Sequence, residues 1–440
     1  MTSGKRRQGQ RIRSMSPPMA LTDTARAEEN LVGALSRSDI REAAVALAGL
    51  ADRSPGTDRR LLEDRFLAQL RLMVGGRIDG VSGVDERRGG ILRLASRVAS
   101  ARDTEGFIRD ARLRAVARRE LDRMGVVPAS ALAEAFLDLG GIPDSGRIAP
   151  RLAVAYERMG TPGWPDARDL ATAALDRVGF SAVAPERRAA ADLAATAESG
   201  ARLAYHGPQH TREVLVNAVI LAERSDRPRI QGGGVPQLSA NDKAVQVLAA
   251  LAHDLLHDGR GNMVADGTGA QTRVPYRLER RSADFASAVM QRAGVAPGAI
   301  AAVRCLVLAT DPTGAHEQIR EALSCHARGL PPASLPEPEL MPLFGDARLA
   351  AQAAIMSDAD LLSSGGLSAR YHAIQCRRLG EELGCPVGAG STLYFVDKVV
   401  GGSFLSPAGK EFNPVLLRIR ETAANQVARQ DRKMEILQAS

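Results

Sequence analysis

Apolar residues recur along this chain at intervals of three and four, a period that fits helices and not strands, and this constrains the fold more than any other feature. The segment after Ser38-Asp39 shows it plainly, because Ile40, Ala43, Ala44, Leu47 and Leu50 fall on one helical face. Ala, Leu and Arg, all good helix formers, fill the segments from about Thr22 to Gly179, whereas aromatic residues make up only 3% of the chain. Breaks are expected at Pro55-Gly56, Gly75-Gly76, Gly89-Gly90 and Gly140-Gly141. Pro128 and Pro165 sit near the expected first turns of later helices, where a missing N–H costs nothing. The predicted class is all-α.

A chain of 440 residues has room for roughly two to four domains and needs neither disulfides nor metals to hold a core together. Its net charge of +7 could suggest nucleic acid, but five of the positive charges, Lys5, Arg6, Arg7, Arg11 and Arg13, lie in the first 14 residues. Taking those 5 from 7 leaves +2, and no aromatic residues are interleaved to stack on bases, so the pattern argues against a nucleic-acid partner. Residues 1–21 are expected to form a disordered basic tail. Cys305, Cys325, Cys376 and Cys385 form no C-x-x-C pair and read as reduced thiols of a cytoplasmic protein. No run approaches the roughly 20 apolar residues of a membrane helix, and the basic start is followed by Ser14-Met15-Ser16-Pro17-Pro18 instead of an apolar signal core.

Residues 22–180 contain no histidine, no cysteine and no glycine-rich phosphate loop, and are expected to form an accessory helical domain whose charges are solvated helix faces. Residues 181–440 hold the chemistry. Four of the seven histidines fall between Tyr205 and Asn262, as His206/His210 and His253/His257, with Asp254 inside the second pair. Residues four apart on a helix share a face, so each pair could converge. Imidazole and carboxylate are the usual ligands of Zn²⁺, Fe²⁺ or Mn²⁺, and carboxylate with water suits Mg²⁺. An apolar helix capped by Asn241-Asp242 and carrying Val245, Leu248, Ala249, Leu251 and Ala252 delivers His253 near its end, after a loop at 225–240. Further helices are expected over 276–292, 300–309 and 347–362, with a proline-rich loop at 331–342 and an interrupted helical tail from Thr392 to Gln438.

These residues resemble the HD superfamily of metal-dependent phosphohydrolases, and within it the class I cyclic-nucleotide phosphodiesterase branch. That branch reads Y-H-x-x-x-H-x-x-x-V, then an apolar helix ending H-D-x-x-H-x-G-x-x-N. Here the fixed positions are Tyr205, His206, His210, Val214, His253, Asp254, His257, Gly259 and Asn262. The likeness continues through Leu278-Glu279, Ala309-Thr310-Asp311 and Ala359-Asp360-Leu361, and covers about Ala201 to Pro407.

The resemblance implies a helical catalytic domain that hydrolyses a phosphodiester, with a cyclic nucleotide as the first substrate to consider. Attack would come from a hydroxide held by two divalent metals: Zn, Fe or Mn at the tight site, and Mg or Mn at the second. It implies His210, His253, Asp254 and Asp360 as ligands, with Asp254 bridging. His206 would be the acid that protonates the leaving alkoxide, and His257 and Glu279 would order the second metal's waters and that acid. Ser-Asp-Ala-Asp-Leu offers Asp358 as an alternative fourth ligand, and the Ala-Asp-Leu context favours Asp360. Two departures stand out: Arg280, Arg281 and Ser282 follow Glu279 where the branch has a histidine, and Gly401 stands where it has its purine-selecting glutamine. Glycine has no side chain to read a base, so phosphoester hydrolysis is carried further than purine choice. The alternatives are a nucleotidase or phosphomonoesterase of the same superfamily and a non-catalytic metal-binding sensor. His316, His326 and His372 read as structural or surface residues, and Thr310-Asp311 as either a helix-end cap or a wall of the site.

Overall fold

The computed structural model describes residues 23–50, 57–74, 84–124, 127–161, 163–200, 203–227, 236–265 and 270–439. The basic tail, the Pro55-Gly56 and Gly75-Gly76 breaks, and residues 228–235 of the expected loop lie outside these ranges. The protein is all-α. Its only strands among the described residues, Met263–Ala265 and Gln271–Arg273, pair as a small antiparallel hairpin with Val264 opposite Thr272. Three-residue strands are too short to leave a period of two in the sequence.

Two helices form the centre. Pro208–Ser225 packs along Ala347–Gly365 and against Ala240–Ala252. The first two are buried on nearly every side: Val214, Val216, Val219 and Leu221 are all in the core of one, and Ala350, Ala354, Ile355 and Leu362 in the core of the other. A helix buried on every side belongs inside a bundle, and the polar residues these two carry, Glu213, Asn217, Arg224 and Asp358 among them, are buried with partners. Pro208 occupies the first turn of its helix. Ser239, not Asn241, caps Ala240–Ala252, and Asp242 completes a capping box. Asp346 caps Ala347–Gly365 and Ser368 caps Ala369–Leu383, which stops at Gly384 in the left-handed conformation.

The N-terminal helices build onto the same core, which is continuous from Leu31 to Leu416. Their charges are not all solvated. Asp138 is fully buried and accepts from Arg177 Nη1 at 3.0 Å, while Arg177 Nε reaches Glu223 of the central helix at 2.8 Å. Arg224, also buried, donates to the Ile142 carbonyl at 2.6 Å and to Glu411 at 2.8 Å. When helices stack in layers, the polar flank of one faces its neighbour instead of water, and such charges persist only when paired.

Gly89-Gly90 does not break a helix. It lies inside Val84–Ala99, where a Cβ on Gly90 would come within 2.7 Å of Met124 Sδ, so the pair serves close packing. Gly140-Gly141 does end one, in a tight turn after Ala129–Asp138. No helix among the described residues is long and apolar enough to cross a membrane.

Candidate metal centre

The histidine pairs converge, but not as two faces of two helices. His206 precedes the Pro208–Ser225 helix and His210 lies in its first turn, while His253 ends the Ala240–Ala252 helix and His257 follows in the turn beyond. Both pairs straddle a helix end, which lets the chain turn and aim their four rings at one place.

His210, His253 and Asp254 bring their ligand atoms within 4.8 Å of one another. Asp360 joins them, with Oδ1 2.9 Å from His210 Nε2 and 3.8 Å from His253 Nε2. Asp254 Oδ2 lies 3.6 Å from His210 Nε2 and 3.2 Å from His253 Nε2. Donors bound at about 2.1 Å to one ion sit roughly 3.0 to 3.4 Å apart, so this spread needs little adjustment to hold one.

The tautomer of His253 is fixed by its surroundings. Nδ1 lies 2.8 Å from the Ala250 carbonyl, which only accepts, so Nδ1 carries a proton and Nε2 is the atom that faces the carboxylates. That Nε2 is buried beside both acids, so the place between them calls for a cation, either a proton or a metal ion. The nitrogen and oxygen donor set suits Zn²⁺, Fe²⁺ or Mn²⁺. These residues could hold a metal ion. With no cation between them, burial works against a charge on His253, but Asp254 and Asp360 outweigh it and raise its pKa to about 9. Burial likewise opposes ionisation of Asp254, yet the charge on His253 holds it well below the usual carboxylate range.

Asp358 points the other way. It is fully buried and accepts from the backbone N–H groups of Leu405 at 2.7 Å and Ser406 at 2.6 Å. Its carboxylate presses so closely on Gly409 that a Cβ there would collide with it. Burial lifts its pKa to about 7 despite those donors. Two residues apart on a helix, Asp358 ties down the Ser406 turn while Asp360 faces the histidines.

Beside these residues lies a second cluster, His206, His257 and Glu382. Glu382 was not identified from sequence. Its Oε1 is 2.6 Å from His206 Nδ1, and its Oε2 accepts from the backbone N–H groups of His206 and Tyr205 at 3.0 and 2.9 Å. Burial opposes a charge on His206, but the bond to Glu382 prevails and its pKa is raised. Glu382 goes down to about 2, its own burial outweighed by the same bond. The His257 ring stacks on His206 with centroids 3.8 Å apart. Burial and the adjacent His206 lower its pKa to about 4, and its Nδ1 accepts from the Gly259 N–H at 3.2 Å. His257 is thus the neutral ring of the stacked pair, and His206 the one whose charge its surroundings favour.

Glu279 lies one layer out. Asn262 Nδ2 donates to Glu279 at 3.0 Å and to buried Asp311 at 3.2 Å, and Asn262 Oδ1 accepts from the Leu278 N–H at 3.0 Å. Burial, helped by Asp311, raises Glu279 to about 7. Of the two expectations for Asp311, the local cap is the one its bonds fit: it accepts from the N–H groups of Thr313 and Gly314, and it also anchors Arg273 of the hairpin at 2.6 Å. A cavity of about 10 Å³, the room of one water molecule, opens between His206, Asp254, His257 and Thr211.

Gly401 adopts a φ of +66°, and the space a side chain would take there is filled by the Arg320 guanidinium. His316 and His372 are buried, each hydrogen-bonded away from the centre, and His326 meets the Leu343 carbonyl at 2.7 Å. Glu382 carried no sequence signal, because Glu381-Glu382 looks like any solvated helix end. Glu213 did carry one: it interrupts an apolar stripe three residues after His210, and it is fully buried, accepting from Tyr371 at 2.5 Å and Gln375 at 2.8 Å.

No family model matches the chain, and no curated protein matches it. Among solved structures it is similar to the phosphodiesterase domain of the RhoPDE fusion protein from the choanoflagellate Salpingoeca rosetta. The identity is 15%, the TM-score 0.42, and the match covers 64% of this chain and 92% of that one.

Proposed function

We propose that the protein is a metal-dependent phosphohydrolase that cleaves a phosphodiester, with a cyclic nucleotide as its first candidate substrate. The observation that supports this most is the juxtaposition of two different sets of groups. His210, His253, Asp254 and Asp360 suit a cation, and a separate imidazole held by a carboxylate, His206 on Glu382, stands beside them without joining them.

His210, His253, Asp254 and Asp360 would hold the tighter ion (Zn, Fe or Mn), with Asp254 shared with a second (Mg or Mn). When bound, such ions neutralise charge on phosphoryl oxygens and acidify a water. His206 gives its proton to the departing alkoxide. Glu382 keeps the His206 Nδ1 proton engaged, so the other ring nitrogen is the one left to donate. His257, neutral and stacked on His206, lets that ring be charged without repulsion. Glu279, held by Asn262, would order the second metal's waters together with His257. A phosphodiester already carries a negative charge, so stabilising further charge is the main demand on such a site.

A phosphomonoesterase or nucleotidase acting on another phosphorylated metabolite is the second reading. It is favoured by Gly401 and the Arg320 guanidinium that fills its side-chain space, since no amide is there to read a purine edge. A sensor that binds metal without turnover has no use for the His206–Glu382 pair.

Metal analysis of the purified protein, followed by assays on cyclic nucleotides, bis(p-nitrophenyl) phosphate and phosphomonoesters with added Mn²⁺ or Mg²⁺, tests the proposal. Hydrolysis of a diester is expected. Protein that takes up no metal and cleaves no phosphoester would falsify it, and cleavage of monoesters alone would select the second reading.

A further inference from the structure

The Ser145–Met159 helix lies in the segment to which the sequence assigns no chemistry. Near its end is Tyr156, whose side chain is fully buried. Its hydroxyl is 2.6 Å from Asn217 Oδ1. Asn217, equally buried, donates from Nδ2 to the Ala359 carbonyl at 2.9 Å and to Ser363 Oγ at 3.1 Å. The amide can sit only this way round. Reversed, its oxygen would face the Ala359 carbonyl, and neither could donate. Oδ1 must therefore meet Tyr156, and the tyrosine hydroxyl donates to it.

The places joined by this amide are specific. Asn217 is seven residues beyond His210, two turns along the same face of one helix. Ala359 immediately precedes Asp360, whose Oδ1 is 2.9 Å from His210 Nε2. Asn217 thus fastens the helix bearing His210 to the backbone beside Asp360. Tyr156 holds the other flank as well: its own carbonyl accepts from Gln209 Nε2 at 2.8 Å, and Gln209 is the neighbour of His210. One residue of the N-terminal segment therefore braces both sides of His210, by backbone at Gln209 and by side chain at Asn217.

Resting on the reading of His210 and Asp360 as ligands, we propose that Tyr156, acting through Asn217, is a positioning residue for that pair. The N-terminal helices are then a working part of the metal centre and not an appendage to it. Phenylalanine would keep the ring's packing, including its approach to Tyr371 with centroids 6.1 Å apart, and lose only the hydroxyl.

The test measures Mn²⁺ affinity by competition with a chromophoric chelator, alongside thermal unfolding of the metal-free protein. It compares wild type, Tyr156→Phe, Asn217→Ala and a control, Leu152→Ala, which empties a buried site one turn earlier on the same helix. Tyr156→Phe is expected to weaken Mn²⁺ binding about tenfold, in the range typical of groups that orient ligands, and Asn217→Ala to weaken it further. Leu152→Ala should unfold at a lower temperature yet bind Mn²⁺ as wild type does. If Asn217→Ala fails to fold, Tyr156→Phe alone decides. Wild-type affinity in Tyr156→Phe, or an equal loss in Leu152→Ala, overturns the positioning role while leaving the metal centre standing. Wild-type protein that takes up no Mn²⁺ overturns the metal-centre reading and the positioning role with it.

Discussion

His206 and His253 are both histidines of one small site, and the proposed reaction gives them opposite duties that substitution can separate. His253→Ala removes a buried donor from the proposed ligand set and should abolish metal uptake. His206→Ala should leave uptake intact and slow hydrolysis of an alkyl phosphodiester by roughly 100-fold or more, the usual worth of a positioned acid. With p-nitrophenolate as leaving group, which departs without a proton, His206→Ala should lose far less. Equal losses on both substrates would show that His206 is not the acid. Asp358 and Asp360 divide in the same way. Asp360→Ala should lose metal and keep its fold, whereas Asp358→Ala strands two buried backbone N–H groups, those of Leu405 and Ser406, and should cost about 3 kcal/mol of stability. Denaturant midpoints of the two metal-free variants distinguish them, and a milder effect at 358 than at 360 would refute the assignment.

Whole elements were easier to foresee than their ends. The helices Arg277–Ala293, Pro297–Leu308 and Ala347–Gly365 lie where the apolar period put them. Their boundaries differ because capping depends on which side chain reaches a free N–H, as Ser239 does in place of Asn241. The same limit hid what buried side chains do between elements. His316 opens the His316–Arg328 helix fully inside the protein, where Arg320 Nη2 lies 3.2 Å from its Nε2 and must donate to it, so the ring is neutral. Burial, reinforced by Arg320, lowers its pKa to about 4. The other groups facing it are Glu317 on its own helix and the backbone of Val400 opposite. The unfolded chain therefore binds a proton near pH 6.5 that the folded protein refuses until about 4, and stability drains away as pH falls through that window. His316→Gln, which keeps a neutral polar side chain, should flatten this loss. Urea midpoints at pH 7.5 and 5.0 measure it, and an unchanged pH dependence in the variant would exclude His316 as its source.

At the scale of the whole molecule, the proposed site histidines and Asp254 could be read from sequence because they cluster in short spacings around helix ends, His206 with His210 and His253 with Asp254 and His257. Glu382, Asn217 and Tyr156 could not. Their bonds cross 176 residues to His206, 142 to Ala359 and 61 from Tyr156 to Asn217, and chain spacing carries no trace of contacts that only the packed bundle creates. That distinction bears on how the N-terminal and C-terminal segments depend on each other. Cutting the chain before Pro185 would unpair Glu223 from Arg177, Asn217 from Tyr156, and Arg224 from the Ile142 carbonyl, three buried or half-buried links on one central helix. It would also uncover Ile220, which packs on Gly140. Water would replace those partners, but the apolar surface uncovered with them would lose roughly 25 cal/mol per Å² of burial, against the roughly 5 to 15 kcal/mol that holds an ordinary domain folded. A fragment of residues 181–440 is therefore expected to lack cooperative unfolding and to bind Mn²⁺ far more weakly than the full chain, with both restored when residues 1–180 are supplied in trans. A fragment that unfolds cooperatively and binds Mn²⁺ like the intact protein would show that the central helix does not need the partners those links provide.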